Sequence, residues 1–169
     1  MRNERWRLLT MMMAGLISLA INAKEPTDSV AGDFTCETVD GRQLTLKSMP
    51  SDRLTLLVFY DPDCGDCRQE LFALRHSSLL RQAVGEGRIQ VLAVYAEADE
   101  QLWRQTATEL PATWTVAIAR TDIKGEGFYS LSSMPAIFLL DNDKKMMQKE
   151  LDYSRVAEVI RRKLKIKNS

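Results

Sequence analysis

The chain has 169 residues, 45% hydrophobic and 27% charged, with no net charge. That length suits one compact domain and is short for two, and the apolar share supports a core that needs no disulfide staples. Residues 1–23 carry Arg2, Arg5 and Arg7 against Glu4, so 23 basic and 23 acidic residues become 20 and 22 without them. A slightly acidic remainder with no basic block gives no electrostatic basis for binding nucleic acid or anionic lipid.

In chain order, the first segment reads as an export signal. Its arginines form a positive n-region, Leu8 to Ala20 an apolar h-region, and the small-residue contexts Ser18-Leu19-Ala20 and Ile21-Asn22-Ala23 follow, the second being the preferred cleavage site. The apolar run is about a dozen residues, short of the ~20 that span a bilayer. The expected organisation is a signal peptide over 1–23, a disordered lead-in over 24–31 and one domain over 32–169. The mature chain is expected in the periplasm as a monomer with no stable membrane insertion. Three cysteines in an exported chain are read as redox chemistry before metal chemistry.

Past the polar lead-in, Phe34 to Val39 and Gln43 to Leu46 flank Asp40-Gly41, a hairpin signal. Leu54 to Tyr60 is nearly all apolar and β-prone, as for a central strand covered on both faces. Asp61-Pro62-Asp63 ends it, and helical character is predicted from Cys64 to about Ala83. Ile89 to Tyr95 is a second buried strand. Glu100 to Leu110 is a helix stopped by Pro111. Trp114 to Ala119 is a shorter strand, Ile123 to Ser133 a loop or irregular helix, and Ala136 to Leu140 a third strong strand. The turn Asp141-Asn142-Asp143 leads to a weaker strand over Met146 to Leu151, and a last helix runs from Ser154 to about Lys165. The alternation implies an α/β fold, a mixed β-sheet flanked by helices on both faces.

Chemistry concentrates at Cys64-Gly65-Asp66-Cys67. A structural zinc site needs four Cys or His ligands. Beyond this pair only Cys36 and His76 remain, so no metal is expected, and no other cofactor. A redox pair needs its first thiol at a helix N-terminus, where unpaired N–H groups and the helix dipole favour a thiolate. Cys64 follows a buried strand and a short acidic turn and opens a helix. It is the candidate attacking thiolate, and Cys67, one turn on, the candidate resolving thiol. The alternative is a structural disulfide or two idle thiols. Met134-Pro135 precedes the strand Ala136 to Leu140; a cis peptide there would offer the Met134 backbone as an edge for an extended substrate. Cys36 is read as core filler, with a regulatory or intermolecular disulfide as the alternative.

Taken in order, Gly32-Asp33-Phe34-Thr35, Phe59 to Cys67, Met134-Pro135 and Ile137 to Asp141 resemble the thioredoxin superfamily, and within it the exported TlpA/ResA-like branch common in Bacteroidota. The resemblance runs from about Gly32 to the C-terminus. It implies a thioredoxin-like fold with an N-terminal β-hairpin extension. It also implies a thiol–disulfide oxidoreductase acting on protein thiols and disulfides, recharged by an electron donor of the envelope. Cys64 would match the nucleophile, Cys67 the resolving thiol, Pro135 the cis-proline, and Glu70 the branch's acid after the dithiol, credited with proton handling. The competing reading of Glu70 is a solvated first-turn residue attracted by the dipole.

The chain departs from that pattern in having Asp63 where an aromatic residue is usual, Val58 in place of a buried acid, and Gly65-Asp66 between the cysteines. Asp61, Asp63 and Asp66 oppose a thiolate at Cys64, which points to a reductant-leaning couple. A thioredoxin-fold binding module with an idle dithiol is the alternative. Peroxide reduction is disfavoured because Leu57 and Asp61 stand where a peroxidatic motif needs Pro and Thr or Ser. Copper delivery would rest on His76 alone.

Overall fold

A computed structural model describes residues 29–125, Tyr129, 131–149 and 151–165. The run Leu54–Tyr60 forms β3, at the heart of a seven-stranded sheet ordered β2-β1-β5-β4-β3-β6-β7. The other strands are β1 (Thr35–Thr38), β2 (Gln43–Thr45), β4 (Ile89–Tyr95), β5 (Thr115–Ala119), β6 (Ala136–Leu140) and β7 (Met146–Gln148). β3 and β5 lie parallel to β4 on its two sides, while β6 runs antiparallel to β3. The predicted hairpin β1–β2 joins through β1, antiparallel to β5, and so extends the sheet edge. Gly41 supplies the positive φ of 82° that its turn needs.

Alternation along β3 divides the core in two. Leu56, Val58 and Tyr60 face one side with α1 (Gly65–His76), α2 (Ser78–Gly85), α3 (Glu100–Ala107) and α4 (Tyr153–Leu164). Leu57 and Phe59 face the other, with Phe34, Cys36, Tyr129 and Phe138. Both crossovers, β3-α1-β4 and β4-α3-β5, step along the sheet in one direction, so a common handedness puts their helices on one face. The second face carries a single 3₁₀ turn, Leu46–Ser48, among the described residues. Among the described residues Tyr129 also packs on it, meeting Phe59 at 4.9 Å and Phe138 at 5.3 Å between ring centroids. The Tyr129 hydroxyl donates to the Gly32 carbonyl at 2.6 Å, pinning the β5–β6 connection to the N-terminal segment.

Three expectations change. The long helix over 64–83 is two helices. Ser77 takes extended backbone (φ −65°, ψ 114°) and its hydroxyl accepts from the Leu80 N–H, capping α2 and ending α1. The strand predicted over Met146 to Leu151 stops at Gln148, and the register shifts between Leu139 and Leu140 where β7 pairs with β6. The lead-in is ordered at its end: the Ala31 N–H donates to the Lys144 carbonyl and the Met146 N–H to that of Ser29, both at 2.9 Å. Ala31 is buried, and pairing beside β7 satisfies backbone groups that a free tail would leave to water. The rest of the lead-in and the signal segment 1–23 lie outside the described residues. Among the described residues no helix is long and apolar enough to cross a membrane.

Candidate functional site

β3 carries the chain to the C-terminal edge of the parallel strands and Pro62 ends the ladder there. The Asp61 carboxylate accepts from the Asp63 N–H at 3.0 Å, an Asx turn. The Asp61 carbonyl accepts from the Cys64 N–H at 3.1 Å. This turn places Cys64 at the N-cap of α1, with extended backbone (φ −77°, ψ 124°). Its Sγ takes the role a cap hydroxyl normally has, accepting from the Cys67 N–H at 3.4 Å.

Cys67 lies one turn deeper and is fully buried, while Cys64 is half-buried, and both thiols are free. The Asp61 N–H donates to Cys67 Sγ at 3.4 Å. Burial pushes the Cys67 thiol up to about 12; the Asp61 N–H opposes this, and the Cys64 and Asp61 charges add to it. Across the cleft the Met134–Pro135 peptide bond is cis, and the Cys64 thiol donates to the Met134 carbonyl at 3.6 Å. Five of the residues singled out in the sequence thus occupy one neighbourhood: Asp61, Cys64, Cys67, Met134 and Pro135.

Glu70 makes a contact that neither reading included. It lies beyond the first turn of α1, and its carboxylate accepts from the Tyr153 N–H at 2.8 Å. Tyr153 opens α4, whose N-cap Asp152 accepts from the Arg155 N–H at 2.8 Å. Two carboxylates therefore serve the positive end of α4, and one of them ties that helix to the dithiol helix.

Sequence reasoning passed over Arg68. Its Nη1 donates to the carbonyls of Pro62 at 3.2 Å and Asp63 at 3.3 Å. It holds the turn before Cys64 and brings a cation to the carbonyls of that turn. The signal was available, since Arg68 is four residues after Cys64 and so on the same helix face. His76 sits at the far end of α1, its ring 4.1 Å from that of Phe72, away from the dithiol. Cys36 is fully buried beneath the opposite face, as a core residue should be. Burial and the Asp33 charge push its thiol up to about 12 as well.

No protein-family model matches the chain and no curated protein matches it, but solved structures do. It is similar to a conserved protein of unknown function from Bacteroides fragilis, at 28% identity and a TM-score of 0.73, over 78% of this chain and 96% of that one. It is also similar to a thioredoxin-like protein from Bacteroides caccae, at 25% identity and a TM-score of 0.74, over 79% of this chain and 48% of that one. The fold is thioredoxin-like, and the chain spans about half the length of the Bacteroides caccae relative. A thiol:disulfide interchange protein from a Bacteroides species shares the fold at 20% identity and a TM-score of 0.71, over 86% of this chain and 94% of that one. Within this thioredoxin-like fold, the dithiol stands at a strand-to-helix junction and faces a cis-proline.

Proposed function

We propose that this protein is a thiol–disulfide oxidoreductase of the cell envelope, working through a mixed disulfide at Cys64. The observation that carries the reading is the placement of Cys64: at the N-cap of α1, with an N–H aimed at its sulfur and the Met134 carbonyl 3.6 Å away. A helix N-terminus suits a thiolate, and the adjoining backbone offers an extended substrate an edge.

In the proposed cycle, Cys64 thiolate attacks one sulfur of a substrate disulfide. That S–S bond breaks, the departing sulfur takes up a proton, and a Cys64–substrate disulfide forms. Cys67 loses its proton and attacks Cys64 Sγ, which expels the second substrate thiol and leaves a Cys64–Cys67 disulfide. The substrate gains two electrons, which an envelope reductant then restores to the dithiol. The buried Cys67 thiol needs an acceptor for its proton. Glu70 is assigned that role, with three of its roughly four lone-pair sites left after the bond to Tyr153. Met134 and Pro135 are assigned to substrate binding. Residues 1–23 are assigned to export, with 32–169 as the working monomeric domain.

The lean is toward reduction. Asp61 and the more exposed Asp63 and Asp66 flank Cys64 along the chain, with Arg68 the one cation in that segment. Strong oxidants near about −120 mV owe their power to a stabilised thiolate, which three carboxylates oppose. An equilibrium titration with glutathione should place the couple below about −200 mV, and a value near the strong oxidants would overturn the lean. The reaction itself is tested by Cys67→Ser. Under oxidising conditions that variant should accumulate partner proteins disulfide-linked to Cys64. A chain that traps none would instead be a thioredoxin-fold binding module with an idle dithiol.

A further inference from the structure

Tyr60 and Tyr95, the last residues of β3 and β4, pair in register, and the Ala96 N–H donates to the Tyr60 carbonyl at 3.5 Å. Parallel strands that end level with each other release their following segments side by side. After β3 the chain carries Asp61 and Asp63 into the dithiol turn; after β4 it carries Glu97 and Asp99 into α3. Asp66 adds a fifth carboxylate between the cysteines, in the first turn of α1. The Tyr95 hydroxyl senses four of the five: burial pushes it up to about 12, helped by the charges of Asp61, Asp99, Glu97 and Asp63. Asp61 also reaches the dithiol, with its N–H on Cys67 Sγ at 3.4 Å.

Local structure accounts for some of these acids. Asp61 accepts in the Asx turn and Asp99 caps α3 through the Leu102 N–H at 2.9 Å, while Glu97 forms an ion pair with Lys124. Among the described residues no such bond engages the carboxylate of Asp63 or Asp66, and both are exposed. Arg68, the nearest cation in sequence, directs Nη1 to the carbonyls of Pro62 and Asp63. A substrate disulfide must bring one sulfur onto Cys64 before it can react. The residues flanking that sulfur then lie against the chain neighbours of Cys64, where negative charge is in excess. Charge of this kind governs encounter rate and partner choice more than raw affinity. It also opposes the Cys64 thiolate, an effect that an arriving cation offsets and an arriving anion compounds.

We propose that the dithiol acts preferentially on disulfides flanked by positive charge, as lysine or arginine supplies in a protein segment. Asp63 and Asp66 are its specificity-determining residues. The proposal rests on the oxidoreductase reading and names the substrate class of that same site. The bonds are those of the exchange above: the substrate S–S bond breaks, the Cys64–substrate bond forms, and the departing sulfur takes up a proton. The carboxylates take no part in these steps and act on the approach of the substrate.

The test measures how fast the reduced protein opens three end-capped cyclic disulfide peptides, Lys-Cys-Gly-Gly-Cys-Lys and its counterparts with Ser or Glu at both ends. Each rate is divided by that of dithiothreitol with the same peptide, which removes differences in the disulfide's own reactivity. At ~0.01 M salt, where charges act over ~30 Å, the Lys peptide should react at least ~10-fold faster than the Glu peptide. The Ser peptide should fall between them. At ~1 M salt, where the range is ~3 Å, that ratio should drop below about threefold. Asp63→Asn combined with Asp66→Asn should cut the low-salt ratio at least ~3-fold. A change in the Cys64 thiolate fraction cannot imitate this, because it is common to all three peptides. Cystamine separates the sources: a normalised rate above that of the Lys peptide would assign small cationic disulfides in place of a protein segment. Equal normalised rates, or a ratio unmoved by salt or by the double variant, would overturn the proposal and leave the redox reading standing. No reaction with any disulfide would overturn the redox reading and the proposal with it.

Discussion

Cys67 and Cys36 are both fully buried, both free, and both pushed up to about 12 by burial, yet they sit in opposite halves of the molecule. Cys67 lies on the helical face, in the first turn of α1, with the Asp61 N–H on its sulfur and a second thiol one turn away. Cys36 lies in the middle of β1, paired to Leu44 on one side and Ala119 on the other, beneath the aromatic cover of the second face. Burial alone therefore does not set the proposed resolving thiol apart from a core one. What separates the two is backbone geometry: the turn before α1 leaves the Asp61 N–H free for the Cys67 sulfur and α1 sets a second thiol one turn away, whereas a strand spends its N–H groups on the ladder.

The largest effect that should separate these regions is on turnover. Cys64→Ser should abolish disulfide reduction, a loss of at least ~10³-fold given the scale of removing a nucleophile, whereas Cys36→Ala should leave the rate unchanged within about twofold. An insulin-reduction assay reads both. Equal losses would erase the distinction between the two thiols.

Titration gives the next contrast. Cys36 is protonated in the folded chain up to about 12 against an ordinary value near 9. In that window the unfolded chain binds fewer protons, so stability is full below pH 9 and falls as pH rises from 9 toward 12. Each such thiol contributes a slope of up to ~1.4 kcal/mol per pH unit. Denaturant unfolding of Cys36→Ala should therefore show a shallower alkaline decline than the parent chain. At neutral pH the same variant should lose ~1–2 kcal/mol through the small cavity it leaves.

The smallest effect concerns the tie between α1 and α4. Glu70→Ala removes the acceptor of the Tyr153 N–H and should cost ~1 kcal/mol of stability. Glu70→Gln retains an acceptor and should cost about half as much, through the lost charge at the α4 N-terminus. If Glu70 also takes the Cys67 proton, Glu70→Gln should slow resolution of a preformed mixed disulfide about tenfold, at the low end of general-base effects. An unchanged rate would leave Glu70 as a helix cap alone.

Much of this was legible in the residues. Strand β3 matches its predicted limits because seven β-prone residues, all but Thr55 apolar, run up to the Asp61-Pro62 turn, and its sheet neighbours β4 and β6 are also largely apolar. The dithiol's position followed from the same punctuation. Local chemistry with no strong sequence signature was harder to foresee. Ser77 was one serine among several in a helical pattern, and only its extended backbone turned it into a cap.

By itself the sequence determined the order of strands and helices, the α/β class and the meeting of a buried strand with Cys64, because these depend on neighbours within a few residues. Three things were decided only by tertiary structure. Glu70 became a cap for α4, 83 residues further along the chain. Met134 came to face Cys64, 70 residues away. Tyr60 and Arg75 came together in the lining of one groove. Each depends on which distant segments the sheet order brings together, and periodicity in one stretch of chain carries no information about its partner in another.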